Sequence, residues 1–467
     1  MLRRLIALAV PLIVSTGSFT VMQFFDRMFL AWHSADAVRA ALPAGFLALN
    51  FMIGPMMITG ITSMLAAQHV GAQEPHLAAR ATAQGVWASL LCWPVLLACI
   101  PLGLWILRLS DHPPAVLHDE KIYFSLLMAA GVTAPLKSAL SGFFSGIGRT
   151  GVVMWTSLIA NAVNIVLDYV LIFGAFGLPP LGIAGAALAT VIAEVTHVAL
   201  YLLVYLHDTA PEYAARAQWR WEGTMMRKLI RFGLPSGIHL VMEFAAFSVF
   251  LLLTGRLVAE EAVASNIALN VNHVAVMPIL GISFAITTLV GQFQGAGQHR
   301  LAARAGWAAV GLGQLLMAAA AASFVFLPEF YIDLYVRHNM LALDTAAIHA
   351  SAVVLLRIMA VWGVFDTFSL IMAGALRGAG DTAFVMWYSL GVAWLFYVPG
   401  LLWLIVNGHT QLLPLWGWTA TWVIVLATGF VVRFHRGTWM AIRVVDAPTA
   451  PPANSLASAE GSGMGAA

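Results

Sequence analysis

Five carboxylates and two cations stand inside otherwise apolar stretches of this sequence: Asp26, Asp168, Glu194, Glu243 and Asp366, with Lys137 and Arg357. A charge held in hydrocarbon costs about 2.5–3.5 kcal/mol on insertion scales, so each one needs a reason. In Asn161-x-x-Asn164-x-x-x-Asp168 the three polar groups share one helical face. A carboxylate facing amides across a helical interior takes up a proton or coordinates sodium through hard oxygens. The competing role is polar glue between helices, at about 0.6 kcal/mol per contact. Asp26 and Asp168 exceed what packing needs and are assigned to ion binding, whereas Asn161 reads as glue or cavity lining. His239 lies four residues before Glu243 on the same face, to share its proton or to pack. Lys137 is a counter-ion or the polar end of a tilted helix, Arg357 snorkels from its span end, and Glu194 is structural or at a cavity edge. Asn266, Asn270, Asn272 and His273 line a cavity or form an interhelical network. Met22 and Phe25, with Phe24, Met242, Phe244 and Phe247, pack or present a soft aromatic surface to organic cations.

The elements that must carry these residues follow from composition. Of 467 residues, 61% are hydrophobic and 9% charged, against about 25% charged in soluble domains. That excludes a water-soluble fold and a disordered chain, and a net charge of +2 implies no nucleic-acid partner. Apolar runs long enough to cross about 30 Å of hydrocarbon recur to about residue 434. They lack the period-2 alternation of a membrane barrel, so they are helices. Breaks at Gly, Pro and charges give twelve spans, near 5–32, 38–67, 81–107, 122–145, 152–174, 182–206, 229–255, 262–290, 305–327, 350–374, 384–406 and 411–434. Prolines such as Pro11, Pro55, Pro94, Pro235, Pro278 and Pro399 make hinges or static kinks. Cys92 and Cys99, within one span, are small core residues rather than a redox pair.

The sequence repeats itself. An offset of 224 lays Pro11, Gln68, Gly71-Ala72 and Leu77-Ala78-Ala79-Arg80 on Pro235, Gln292, Gly295-Ala296 and Leu301-Ala302-Ala303-Arg304. An offset of 232 lays Gly142, Gly146, Gly148, Thr150 and Val153-Met154-Trp155 on Gly374, Gly378, Gly380, Thr382 and Val385-Met386-Trp387. Six spans per half make the halves parallel repeats. The expected chain is an all-α polytopic membrane protein of twelve transmembrane helices in two parallel-repeat six-helix lobes. Its parts are a lobe over 1–206, a cytoplasmic linker over 207–228, a lobe over 229–434 and a cytoplasmic tail over 435–467, disordered after 446. The acids are not repeated: Asp26 falls opposite Phe250, Asp168 opposite Gly400, Glu243 opposite Phe19 and Asp366 opposite Ala134.

With the N-terminus inside, the inner loops and ends collect most cations, Arg3, Arg4, Arg80, Arg149, Arg216, Arg220, Arg227, Lys228, Arg231, Arg300 and Arg304 among them. The outer side keeps Arg39, Arg108, Lys121, Arg256 and Arg337, with acids such as Asp111. Both termini are therefore expected in the cytoplasm, across a bacterial-type inner membrane. The apolar start resembles a signal peptide, but Arg227-Lys228-Leu229-Ile230 repeats the pattern internally, so it is read as the first span.

In order and spacing the motifs resemble the multidrug and toxic compound extrusion (MATE) family over the chain to about residue 434. The resemblance rests on Met22-Gln23-Phe24-Phe25-Asp26, Gln68-His69-Val70-Gly71-Ala72 and Asn164-x-x-x-Asp168 followed by Gly182-Ile183-Ala184-Gly185-Ala186-Ala187. In the second half it rests on Glu243, Gln292-x-x-Gly295-Ala296 and Asp366 before Gly374-Ala375-Leu376-Arg377-Gly378-x-Gly380-Asp381-Thr382. It implies antiport of cationic or amphipathic compounds for protons or sodium by alternating access of the two lobes. One branch of the family places the coupling ion on residues matching Asp26, Asn164 and Asp168, another on residues matching Glu243 and Asp366. This chain carries both sets. Where some relatives place an aromatic one turn before the tenth-span acid, it has Trp362. No cofactor beyond the coupling ion is expected, and the partners expected are small organic cations and the bilayer, with the chain a monomer. A lipid-linked precursor flippase is the alternative; an intramembrane enzyme is disfavoured, since no nucleophile or metal motif is evident.

Overall fold

The computed structural model describes residues 1–445 apart from 111, 208, 256, 337–343 and 409–410. Asp111, Arg256 and Arg337, which entered the charge count, and the tail expected to be disordered after 446 lie outside the described residues. Every regular element among the described residues is helical, as lipid requires of a chain whose backbone must satisfy itself within each segment.

Eleven helices are long and apolar enough to cross a membrane, and a twelfth crossing is a bent pair. Span 1 is Leu2–His33 and span 2 is Ala35–Gly60 continued by Thr62–Gly71. Span 3 is Pro75–Ala98, and span 4 is Pro114–Ala129 with Thr133–Gly146, bent by 44°. Spans 5 and 6 are Thr150–Phe173 and Ile183–His207, completing lobe 1. Spans 7 to 10 are Gly223–Thr254, Ala259–Gly295, His299–Phe326 and Thr345–Ala379. Span 11 is Thr382–Val406, with a π-helical stretch at Val392–Tyr397, and span 12 is Leu412–Arg436. The sequence boundaries differ mainly at polar ends. Span 4 begins at Pro114 rather than residue 122, because Asp119, Glu120 and Lys121 interrupt its apolar pattern but not its helix. Span 7 begins at Gly223, inside the segment read as linker.

The repeat is visible in the helix bounds. Ala35–Gly71 and Ala259–Gly295 stand at the 224 offset, as do the starts Pro75 and His299, while Thr150 and Thr382 stand at 232. The lobes join chiefly through span 1 against span 8 and span 2 against span 7. Close approach there demands small residues. A Cβ on Gly71 would collide with the backbone of Gln292, and one on Gly295 with the backbone of Gln68.

Two reciprocal hydrogen bonds cross the same seam. Gln68 Nε2 donates to the Gly378 carbonyl at 2.9 Å, and Gln292 Nε2 donates to the Gly146 carbonyl at 2.8 Å. Arg4 donates to Gln292 Oε1, and Gln294 donates to the Ile442 carbonyl at 3.1 Å, so both ends of the described chain meet this closed face. Leu5, Leu8 and Leu12 of span 1 share one core with Ile282, Ile286 and Leu289 of span 8. Toward the opposite face lobe 1 keeps a core of its own, from Phe29, Leu30, Ala40, Phe124 and Ile172.

The linker is stitched to lobe 1. Arg80 donates to Gln218 Oε1 at 2.8 Å and to Glu222 Oε2 at 3.0 Å, and Gln84 donates to the Arg220 carbonyl. Trp219 accepts a hydrogen bond from Trp87 through its carbonyl and packs its ring on Tyr205, while Trp221 is exposed.

Candidate ion and substrate sites

Spans 1, 5 and 6 face one another inside lobe 1, and the one-face spacing of span 5 turns its amides and acid inward. Asn164 and Asp168 are both fully buried. Neither oxygen of Asp168, neither polar atom of Asn164, nor Oδ1 of Asp26 has a hydrogen-bond partner among the described residues. Asp26 and Asp168 lie within direct electrostatic reach of each other, and Tyr123 of span 4 lies within reach of both. Two carboxylates thus lie near each other, with the Asn164 amide one turn from Asp168 and buried polar atoms of all three unpartnered among the described residues. Left so, each buried polar group costs roughly 1–3 kcal/mol; a proton on the acids, or a cation among the oxygens, removes that cost. Asn161 is spent elsewhere: its Nδ2 donates to Ser18 Oγ at 2.8 Å, a tie between spans 5 and 1.

The lobe 2 acids sit differently. Glu243 contacts His239, with Oε2 to Nε2 at 3.2 Å, and its side chain is 30% exposed. Asp366 of span 10 is half-buried and within electrostatic reach of Glu243, which also feels Arg377. This pair keeps an open side and has a local histidine and arginine to balance its charge.

The remaining candidates divide by surroundings. Met22 is half-buried, and Phe25 packs edge-on to Phe24 and tilted on Phe29, against the lobe 1 core. Asn270 is exposed and donates to the Asn266 carbonyl of its own helix. His273 is exposed and within electrostatic reach of Arg27, so span 8 meets span 1 near the lobe 1 acids. Trp362 is buried in the lobe 2 core with its ring 6.0 Å from that of Trp416. Arg357 is exposed. Lys137 is the counter-ion of Glu194, with Nζ 2.5 Å from Oε1. Sequence reading flagged both residues but could not pair them, since they sit 57 positions apart on different helices.

Two six-helix lobes in parallel repeat, shut against each other at one face and holding carboxylates in both interiors, define a polytopic membrane transporter. The MatE family model matches residues 11–170 and 235–402, one block in each lobe. The chain belongs to this family, that of the multidrug and toxic compound extrusion transporters. It is 30% identical to the probable multidrug resistance protein NorM of Pseudomonas aeruginosa, over 97% of this chain and 93% of that one. It is 31% identical to the multidrug resistance protein NorM of Burkholderia vietnamiensis, over 92% and 93%. Its fold is that of a multidrug resistance MATE transporter solved in an outward-facing conformation, with TM-score 0.85, 16% identity and coverage of 95% and 97%. A eukaryotic MATE transporter is similarly close in fold, with TM-score 0.81, 19% identity and coverage of 94% and 96%.

Proposed function

We propose that this protein exports cationic or amphipathic organic compounds in exchange for inward protons or sodium ions, working as a monomer in a bacterial inner membrane with both termini in the cytoplasm. One observation carries the reading: the acids are divided between two environments. Lobe 1 offers the fully buried, partnerless Asn164 and Asp168 with the half-buried Asp26 in reach, suited to a small ion. Lobe 2 offers the half-exposed Glu243 and Asp366, suited to the positive group of a larger compound. The named relatives, multidrug resistance proteins, support the choice of cargo.

In the mechanism, ion and compound each weaken the other's hold, reciprocally. At the outer face a proton or sodium ion loads the lobe 1 acids, the lobes rearrange and the compound leaves. At the inner face the ion departs and the compound-accepting state returns. An elementary charge moved inward through 100 mV supplies about 2.3 kcal/mol, and one pH unit about 1.4 kcal/mol. The flippase alternative leans on a deep free cation for a pyrophosphate, and Lys137 already pairs with Glu194.

Equilibrium binding of a fluorescent cationic dye, titrated at several pH values and sodium concentrations, tests the division. Asp168→Asn is expected to keep dye affinity but lose its dependence on the ion, and Asp366→Asn to weaken dye binding about tenfold. An Asp168→Asn protein whose dye affinity responds to the ion as wild type does would contradict the reading.

A further inference from the structure

Beyond the level of Asp26 and Asp168, lobe 1 holds a column of polar groups for which ion binding at those acids has no use. Span 6 carries Thr190, Glu194, His197 and Tyr201 at the same spacing with which span 5 carries Ser157, Asn161, Asn164 and Asp168. Eleven residues of helix cover about 16 Å, so the two stripes run side by side over half a membrane. Tyr123 joins them at the top, its hydroxyl within reach of Thr190 and its ring near both acids. One turn below Thr190, Glu194 gives Oε1 to Lys137, while Oε2 is buried without a partner among the described residues. One turn further, His197 is 7% exposed, and its Nε2 is likewise unpartnered. The His197 and Tyr201 rings stack with centroids 4.8 Å apart. The Tyr201 hydroxyl lies within reach of Thr156 and Ser157, and Ser15 Oγ donates to Ser157 Oγ at 2.7 Å.

The scaffold does not require these charges. By the matching bounds of spans 6 and 12, Glu194 and His197 fall opposite Val423 and Leu426, and at the 232 offset Lys137 falls opposite Ser369. Lobe 2 therefore builds the same helices without the ionic trio. Nor is this only a bridge between helices, because a bridge alone would leave no orphaned oxygen and ring nitrogen facing apolar surroundings.

We propose that Glu194, poised by Lys137, is the inner proton station of lobe 1, taking the proton that Asp168 releases and passing it by way of His197 toward the cytoplasmic face. The inference rests on the exchange reading above and narrows its ion to the proton. Only a proton moves. It leaves an Asp168 oxygen, through water enters Glu194 Oε2 and frees Lys137 from its ion pair, then passes to His197 Nε2, which releases one from Nδ1. Lys137 restores the carboxylate by attracting its charge. The titratable and charged groups facing Glu194 are Lys137 from span 4 and His197 and Tyr201 from its own helix.

The test is dye efflux from proteoliposomes under an imposed pH gradient, paired with proton release on dye binding in detergent. Glu194→Gln is expected to bind dye and release protons at equilibrium as wild type does, yet to exchange at least tenfold more slowly, with an altered pH profile. Glu194→Asp is expected to restore the rate. Lys137→Leu/Glu194→Leu, which copies the apolar design of lobe 2, guards against a folding defect of an unpaired lysine and is expected to be equally slow. Either variant exchanging at the wild-type rate, or Glu194→Asp failing to rescue, overturns the relay. A wild type that binds dye but ignores the pH gradient overturns the proton reading itself, which the variants cannot imitate.

Discussion

Asp168 and Asn164 hold four buried polar atoms without partners among the described residues, two on each side chain. Stability given up in that way is common where a site is kept ready for a ligand. Asn164→Leu should therefore raise thermal stability in detergent by about 1–3 kcal/mol, the cost of an unsatisfied buried group, and remove ion-dependent dye binding. A variant that is less stable and still ion-sensitive would show that the amide is spent on packing. These residues were legible in the sequence because a helical face of Asn, Asn and Asp is rare in hydrocarbon. The partners were not. That His239 touches Glu243 followed from local spacing, whereas Lys137 meeting Glu194 depends on how spans 4 and 6 pack.

At the scale of elements, the closed face is held by a symmetric device. Gln68 and Gln292 each donate to a glycine carbonyl of the opposite lobe. A net 0.5–1.5 kcal/mol per bond makes Gln68→Ala/Gln292→Ala worth about 1–3 kcal/mol, or roughly 5- to 150-fold in the closed-to-open ratio. Spin-label distances between the loops at Gln73 and Gly297 should lengthen in the double variant; an unchanged distribution would place the closing energy elsewhere. Gly295→Leu should act more strongly, because any Cβ there meets the Gln68 backbone, and is expected to lose the short-distance population altogether. The sequence showed Gln68 and Gln292 as equivalent positions, but not that each crosses to the other lobe.

At the scale of the molecule, the duplication explains the scaffold and leaves the chemistry unexplained. Helix bounds repeat at fixed offsets, because backbone satisfaction in lipid constrains every span alike. The acids break the repeat, and the proposed division of labour rests on that asymmetry: a fully buried Asn164 and Asp168 beside Asp26 in lobe 1, a half-buried pair in lobe 2. Span 4 was the hardest to delimit, since its charged first half and 44° bend hide one crossing as two shorter helices.

The central claim is that one lobe couples the ion and the other receives the compound. It is tested most directly by efflux of a fluorescent cationic dye from proteoliposomes, with pH and sodium gradients imposed separately. Asp26→Asn and Asp168→Asn should abolish the response to the driving gradient while dye still equilibrates, and Glu243→Gln and Asp366→Asn should keep that response at a raised dye KM. Gradient response lost only in the lobe 2 variants, or no driven efflux by a well-folded wild type under either gradient, would contradict the account.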